Sequence, residues 1–86
     1  MRTFPLQLIT RGGEVFARDV VSVDVPAVEG RLTVLARHEP LVCSVLEGSV
    51  KIRDASGEYE TWDVMPGVMQ VGRDGVELVV QSATRE

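Results

Sequence analysis

Apolar residues in this chain recur at every second position, in short runs broken by turn residues about every 8–12 positions, as in β-sandwiches and small barrels. In residues 4–10, Phe4, Leu6 and Leu8 share one phase; in residues 14–25, Val21, Val23 and Val25 alternate with Ser22 and Asp24. Val50 and Ile52 alternate with Lys51 and Arg53, and Val76, Leu78 and Val80 share a phase near the end. A period of two puts one face of a strand in the core and the other in solvent, and no stretch sustains the period of a helix. Turn chemistry separates the runs at Arg11-Gly12-Gly13, Glu29-Gly30, Glu47-Gly48, Asp54-Ala55-Ser56-Gly57, Met65-Pro66-Gly67 and Gly72-Arg73-Asp74-Gly75. The expectation is an all-β fold of short strands over residues 4–10, 14–25, 31–35, 41–46, 50–53, 58–64, 68–71 and 76–81, with a polar tail at 82–86. Asp19 marks a bend or bulge, and residues 41–46, apolar on both faces, read as an inner strand holding Cys43 as a buried thiol. The abundance of Val agrees, because β-branched side chains suit a pleated, half-buried surface.

The 86 residues form one domain, 1–86, and the chain buries a modest core. Nine basic against 13 acidic residues give a net charge of −4, and the eight arginines are scattered. This excludes the clustered basic surface that nucleic acid requires. Cys43 is alone, so neither an internal disulfide nor a cysteine metal cage is available. No apolar run approaches the ~20 residues of a membrane span, and residues 1–10 lack the apolar core of a signal peptide. The chain is expected to be soluble, or attached to a membrane only indirectly.

Catalytic constellations are absent from the sequence. His38 has no nucleophile-elbow serine, and His38, Glu39 and Cys43 match no zinc spacing. No Gly-rich loop precedes a helix, so no nucleotide cradle and no cofactor are expected. Glu58, Glu60 and Asp63 read as a solvated face of a hairpin. What remains is a non-catalytic module that works through its surface. Its most distinctive stretch is residues 25–41, VPAVEGRLTVLARHEPL, which holds the lone His and two of the four Pro residues. A loop on a rigid scaffold is a natural contact surface.

Residues 23–41, VDVPAVEGRLTVLARHEPL, resemble the signature of the epsilon subunit of the F-type ATP synthase, called delta in mitochondria. Val23, Val25, Pro26, Glu29, Gly30, Leu35, His38, Pro40 and Leu41 match that pattern. The likeness continues through Leu46-Glu47-Gly48-Ser49-Val50-Lys51-Ile52-Arg53 and Val64-Met65-Pro66-Gly67-Val68-Met69-Gln70-Val71, and covers nearly the whole chain. Departures are Ala27 and Thr33 in place of Gly, Ala36-Arg37 where Pro-Gly is common, and Pro66 for the first Gly of a pair.

The resemblance implies a ten-stranded β-sandwich of antiparallel strands in the central rotor stalk, without chemistry of its own. Its partners would be the gamma subunit and the membrane c-ring, at the cytoplasmic face of the bacterial inner membrane. It implies that Glu29, Gly30, Arg31 and His38 face the c-ring. It implies that Val68 and Met69, with Thr10 and Ser44 as small neighbours, face gamma as exposed groups. Many relatives carry an acid where Arg31 stands, so a compensating acid is expected in the ring loop or in a neighbour such as Glu39. Relatives continue into a helical hairpin that regulates hydrolysis and in some members binds ATP. Residues 81–86 are too short for it, so a non-inhibitory chain without ATP binding is expected. The alternative is a small β-sandwich ligand-binding domain. Such a site wants exposed aromatics in a cleft, and aromatics are only 5% here, with Tyr59 and Trp62 on one hairpin.

Overall fold

The computed structural model describes residues 2–86, and every regular element in it is a strand. In chain order these are β1 Phe4–Thr10, β2 Gly13–Ala27, β3 Gly30–Leu35, β4 Leu41–Val45, β5 Gly48–Asp54, β6 Tyr59–Val64, β7 Gly67–Gly72, β8 Gly75–Val80 and β9 Ala83–Arg85.

β2 organises the two layers because it belongs to both. Its first half pairs with β1, from Thr10↔Gly13 to Phe4↔Val20. Its second half pairs with β3 on one edge and β5 on the other. One layer runs β4-β7-β8-β1 to the first half of β2; the other runs β3, second half of β2, β5, β6, β9. The changeover falls at a register shift between Val20 and Ser22, beside the bend expected at Asp19. Both Val20 and Val21 are buried there, as an extra residue in a bulge permits.

The alternating residues meet between the layers. Leu6, Leu8, Val23, Val25, Val50, Ile52, Met69 and Leu78 are almost wholly buried, and among the described residues the buried set is entirely apolar. Phe16 and Trp62 close the core in an edge-to-face pair, centroids 6.5 Å apart and planes at 84°.

The all-β sandwich matches the sequence expectation, with four differences. Nine strands form instead of ten, since β2 continues through its bulge as one 15-residue element serving both layers. β1 and β8 pair in parallel, because each already spends one edge on its hairpin partner and they meet edge to edge. β4 is not an inner strand: it pairs fully with β7 but touches β2 only at Ala27↔Val45, which leaves Val42 exposed and Cys43 half-buried. Residues 83–85 are not a loose tail: they form β9, hydrogen-bonded along β6.

Candidate functional site

The β2–β3 hairpin carries Glu29, Gly30 and Arg31 at its tip, all exposed. Gly30 has φ 118°, a conformation that glycine takes without steric cost, and it starts the returning strand. Arg31 stands diagonally across from Asp24, whose Cα partner is Thr33. Its Nε donates to Asp24 Oδ1 at 3.1 Å and its Nη2 to the Asp24 carbonyl at 3.3 Å. The acid that balances Arg31 is therefore Asp24 within the same hairpin, and Glu39 is not involved.

His38 does not join this group. It follows the far end of β3, so roughly 13 Å of extended strand separates Arg31 from Leu35 before His38 is reached. His38 is half-buried, its main-chain N donates to Leu35 O at 3.1 Å, and its ring Nδ1 lies 2.9 Å from Glu39 O. The turn that carries it has Arg37 at φ 69°, the one non-glycine residue with positive φ among the described residues. The four residues expected to face one partner thus lie at the two ends of β3.

Two of the four residues expected on the other wall, Ser44 and Val68, stand side by side on it. Ser44 pairs with Val68, Val68 with Val79, and Val79 with Ile9 across β4, β7, β8 and β1. Val45, Met69, Leu78 and Leu8 are buried, so their neighbours Ser44, Val68, Val79 and Ile9 share the outer face. Val68 is 45% exposed, Val79 46% and Val42, diagonal to Val68, 68%, which makes an apolar strip on the outside of the sheet. Met69 corrects the expectation: it is 0% exposed, because it takes the inward phase opposite Leu78. Thr10 shares the phase of Leu8, and its hydroxyl bridges the β1–β2 turn, accepting from Gly12 N and donating to Gly13 O at 3.2 Å each. Ile9 and Val79 take the places on the wall that Thr10 and Met69 do not. Their outward phase is readable from the period of two, although their alignment across three strands is not.

Glu60 corrects a second expectation: Glu58 and Asp63 are exposed as a solvated face requires, but Glu60 is not. Its phase is that of Trp62 and Val64, so it points inward at the open edge of the core. Its side chain is 10% exposed and accepts from Arg18 Nη2 at 2.7 Å and from Trp62 Nε1 at 2.7 Å, with Arg85 Nη2 at 3.5 Å. Burial pushes the Glu60 carboxyl up, but the hydrogen bonds from Arg18 and Trp62 and the charges of Arg18 and Arg85 outweigh it, so the acid is held below its ordinary value. Cys43 is half-buried, and desolvation raises its thiol pKa, which favours the inert neutral form. Among the described residues no group of acidic, His and Cys side chains could hold a metal ion, and no helix is long and apolar enough to cross a membrane.

A family model for the β-sandwich domain of the ATP synthase delta/epsilon chain matches residues 3–86. The chain is 40% identical to an ATP synthase epsilon chain of Bartonella quintana (strain Toulouse) over 78 residues, covering 91% of this chain and 56% of that one. It is 37% identical to an ATP synthase epsilon chain of Afipia carboxidovorans over 84 residues, covering 98% of this chain and 61% of the relative. The chain thus spans little more than half the length of these curated relatives. Its fold superposes with a TM-score of 0.91 on a chain in the cryo-EM structure of the Euglena gracilis mitochondrial ATP synthase OSCP/F1/c-ring, at 20% identity, covering 96% of this chain and 53% of that one. A chain of the Tetrahymena thermophila mitochondrial ATP synthase central stalk and c-ring gives 0.81 at 17% identity, covering 96% and 66%. At those identities the superpositions establish the fold alone. The family model covers all but the first two residues, and this chain belongs to the ATP synthase delta/epsilon chain β-sandwich family.

Proposed function

We propose that this chain is a non-catalytic rotor element of an F-type ATP synthase, joining gamma to the membrane c-ring and passing torque between them. It sits peripherally at the cytoplasmic face of the bacterial inner membrane and reaches the bilayer only through the ring.

The observation that carries this reading is the apolar strip of Val68, Val79, Ile9 and Val42 on the outside of one layer. An exposed apolar patch held flat by a rigid sheet is a protein-docking surface. It is assigned to gamma, with Ser44 as its small polar margin. The β2–β3 tip, Glu29-Gly30-Arg31, is assigned to the ring. Because Arg31 is already paired with Asp24, the tip carries a guanidinium whose charge is balanced within the hairpin and needs no acid from the ring loop.

Affinity capture from native membranes tests the assignment: gamma and c-ring proteins are recovered together with the tagged chain. Val68→Asp lowers gamma recovery at least about tenfold while the domain stays folded, since a buried unpaired charge at an interface is costly. Recovery of neither protein, or undiminished gamma recovery with Val68→Asp, rejects the reading.

A further inference from the structure

Three of the chain's eight arginines, Arg2, Arg37 and Arg73, line one cleft of about 320 Å³ beside Phe4 at the start of β1. They come from three separate segments: the residues before β1, the β3–β4 loop and the β7–β8 turn. All three are exposed. Among the described residues the ion pairs are Arg18–Glu60, Arg31–Asp24 and Arg85–Glu60, so none of the three takes part in one. Asp74 is the single carboxylate in the cleft wall, and Pro5 and Ala36 add apolar surface.

Two facts set this cluster apart from scattered surface charge. The chain as a whole carries −4, so its remaining surface repels an acidic ligand and this end attracts one. Arg37 sits at φ 69°, where glycine is free of strain and arginine is not. Strain kept at an exposed corner, on a residue that brings a guanidinium into a shared cleft, points to use of that guanidinium.

We propose that this cleft binds an acidic segment of a partner protein, whose carboxylates are taken by Arg37 and Arg73 while Arg2 adds attraction. Guanidinium forks match carboxylates in paired hydrogen bonds. The donors sit on three separate segments and share the wall with Asp74 and apolar groups. That mixture suits an extended chain that alternates acidic and apolar side chains better than a compact phosphate, which Asp74 opposes. Basic patches that hold anionic membranes use clusters of about 4–8 Lys/Arg, more than are gathered here. The assignment is independent of the rotor reading, since it concerns the far end of β3 from the β2–β3 tip.

The test is fluorescence anisotropy of the full chain with a short labelled peptide of alternating glutamate and leucine. Inorganic phosphate and vesicles of equimolar phosphatidylcholine and phosphatidylglycerol serve as competing probes. The peptide is expected to bind saturably and more weakly as ionic strength rises. Arg37→Gly and Arg73→Ala each lower the affinity about fivefold to tenfold. Arg37→Gly also relieves backbone strain, so its lost binding accompanies a higher melting temperature and is not a sign of unfolding. No saturable peptide binding, affinity unchanged from the parent chain in both variants, or saturable binding of phosphate or vesicles in place of the peptide overturns the proposal.

Discussion

Arg18 donates to Glu60 Oε1 at 2.7 Å although 42 residues separate them in the chain. The contact ties β2 to β6 at the edge of the core, and it does so next to two aromatic rings. The Arg18 guanidinium also lies 4.4 Å from the centre of Phe16, whose edge-to-face partner Trp62 donates its indole N–H to the other Glu60 oxygen. Glu60→Ala is expected to destabilise the domain by about 1–3 kcal/mol, because it strands the Trp62 N–H and the Arg18 charge together. Thermal unfolding followed by tryptophan fluorescence reads this as a drop of several degrees; an unchanged midpoint refutes the role.

Acid should act through two carboxylates. Glu60 is held low by its donors despite burial, and Asp54 is held low first by the Ser56 hydroxyl at 2.6 Å, then by the main-chain N–H groups of Glu58 and Ser56. An acid whose folded pKa is depressed contributes stability above its unfolded value and loses it as pH falls through the folded value. The urea midpoint is therefore expected to hold from neutrality down to about pH 4.5 and to fall steeply below it. Glu60→Gln flattens that slope, and an identical pH profile in the variant contradicts the assignment.

Gly67 leaves no room for a side chain. A Cβ there would lie 2.6 Å from Val80 Cα and would also strike the Val79 carbonyl, both of them backbone in the neighbouring strand. Gly67→Ala must push β7 off β8 and is expected to cost about 3 kcal/mol, the upper range for overpacking. Chemical denaturation measures it; a loss within error of zero means that the strands can part without penalty.

Arg37→Gly should stabilise. The left-handed conformation costs an L-residue about 1–2 kcal/mol, and part of that gain is offset by the greater freedom of glycine when unfolded. A rise of about 4–8 °C in melting temperature corresponds to a net gain of about 1 kcal/mol in a domain of this size. Calorimetry decides it, and a lower melting temperature rules out strain at this corner.

Adjacent residues on β7 should behave oppositely. Met69→Asp places a charge in the core beside Leu78 and unfolds the domain, whereas Val68→Asp leaves the β spectrum intact because its side chain is outside. Circular dichroism of the two variants separates them, and a folded Met69→Asp shows that the core position is misassigned.

The alternation of apolar residues by itself determined the strand positions, the turns and most inward faces: Phe4, Leu6 and Leu8, or Val76, Leu78 and Val80, are buried as their phase requires. Phase also predicts that Glu60 shares a face with Trp62, and that Val68 and Met69 take opposite faces. Tertiary structure alone decided which strands are neighbours. A period of two reports a side of the sheet but carries nothing about the partner at its edge, and pairings such as β1 with β8 or β6 with β9 join distant parts of the chain. For that reason the balance of Arg31 by Asp24, the 42-residue span from Arg18 to Glu60 and the gathering of Arg2, Arg37 and Arg73 follow from the fold. Glu29 and His38, nine positions apart in one motif, are held apart because the six residues of β3 run between them.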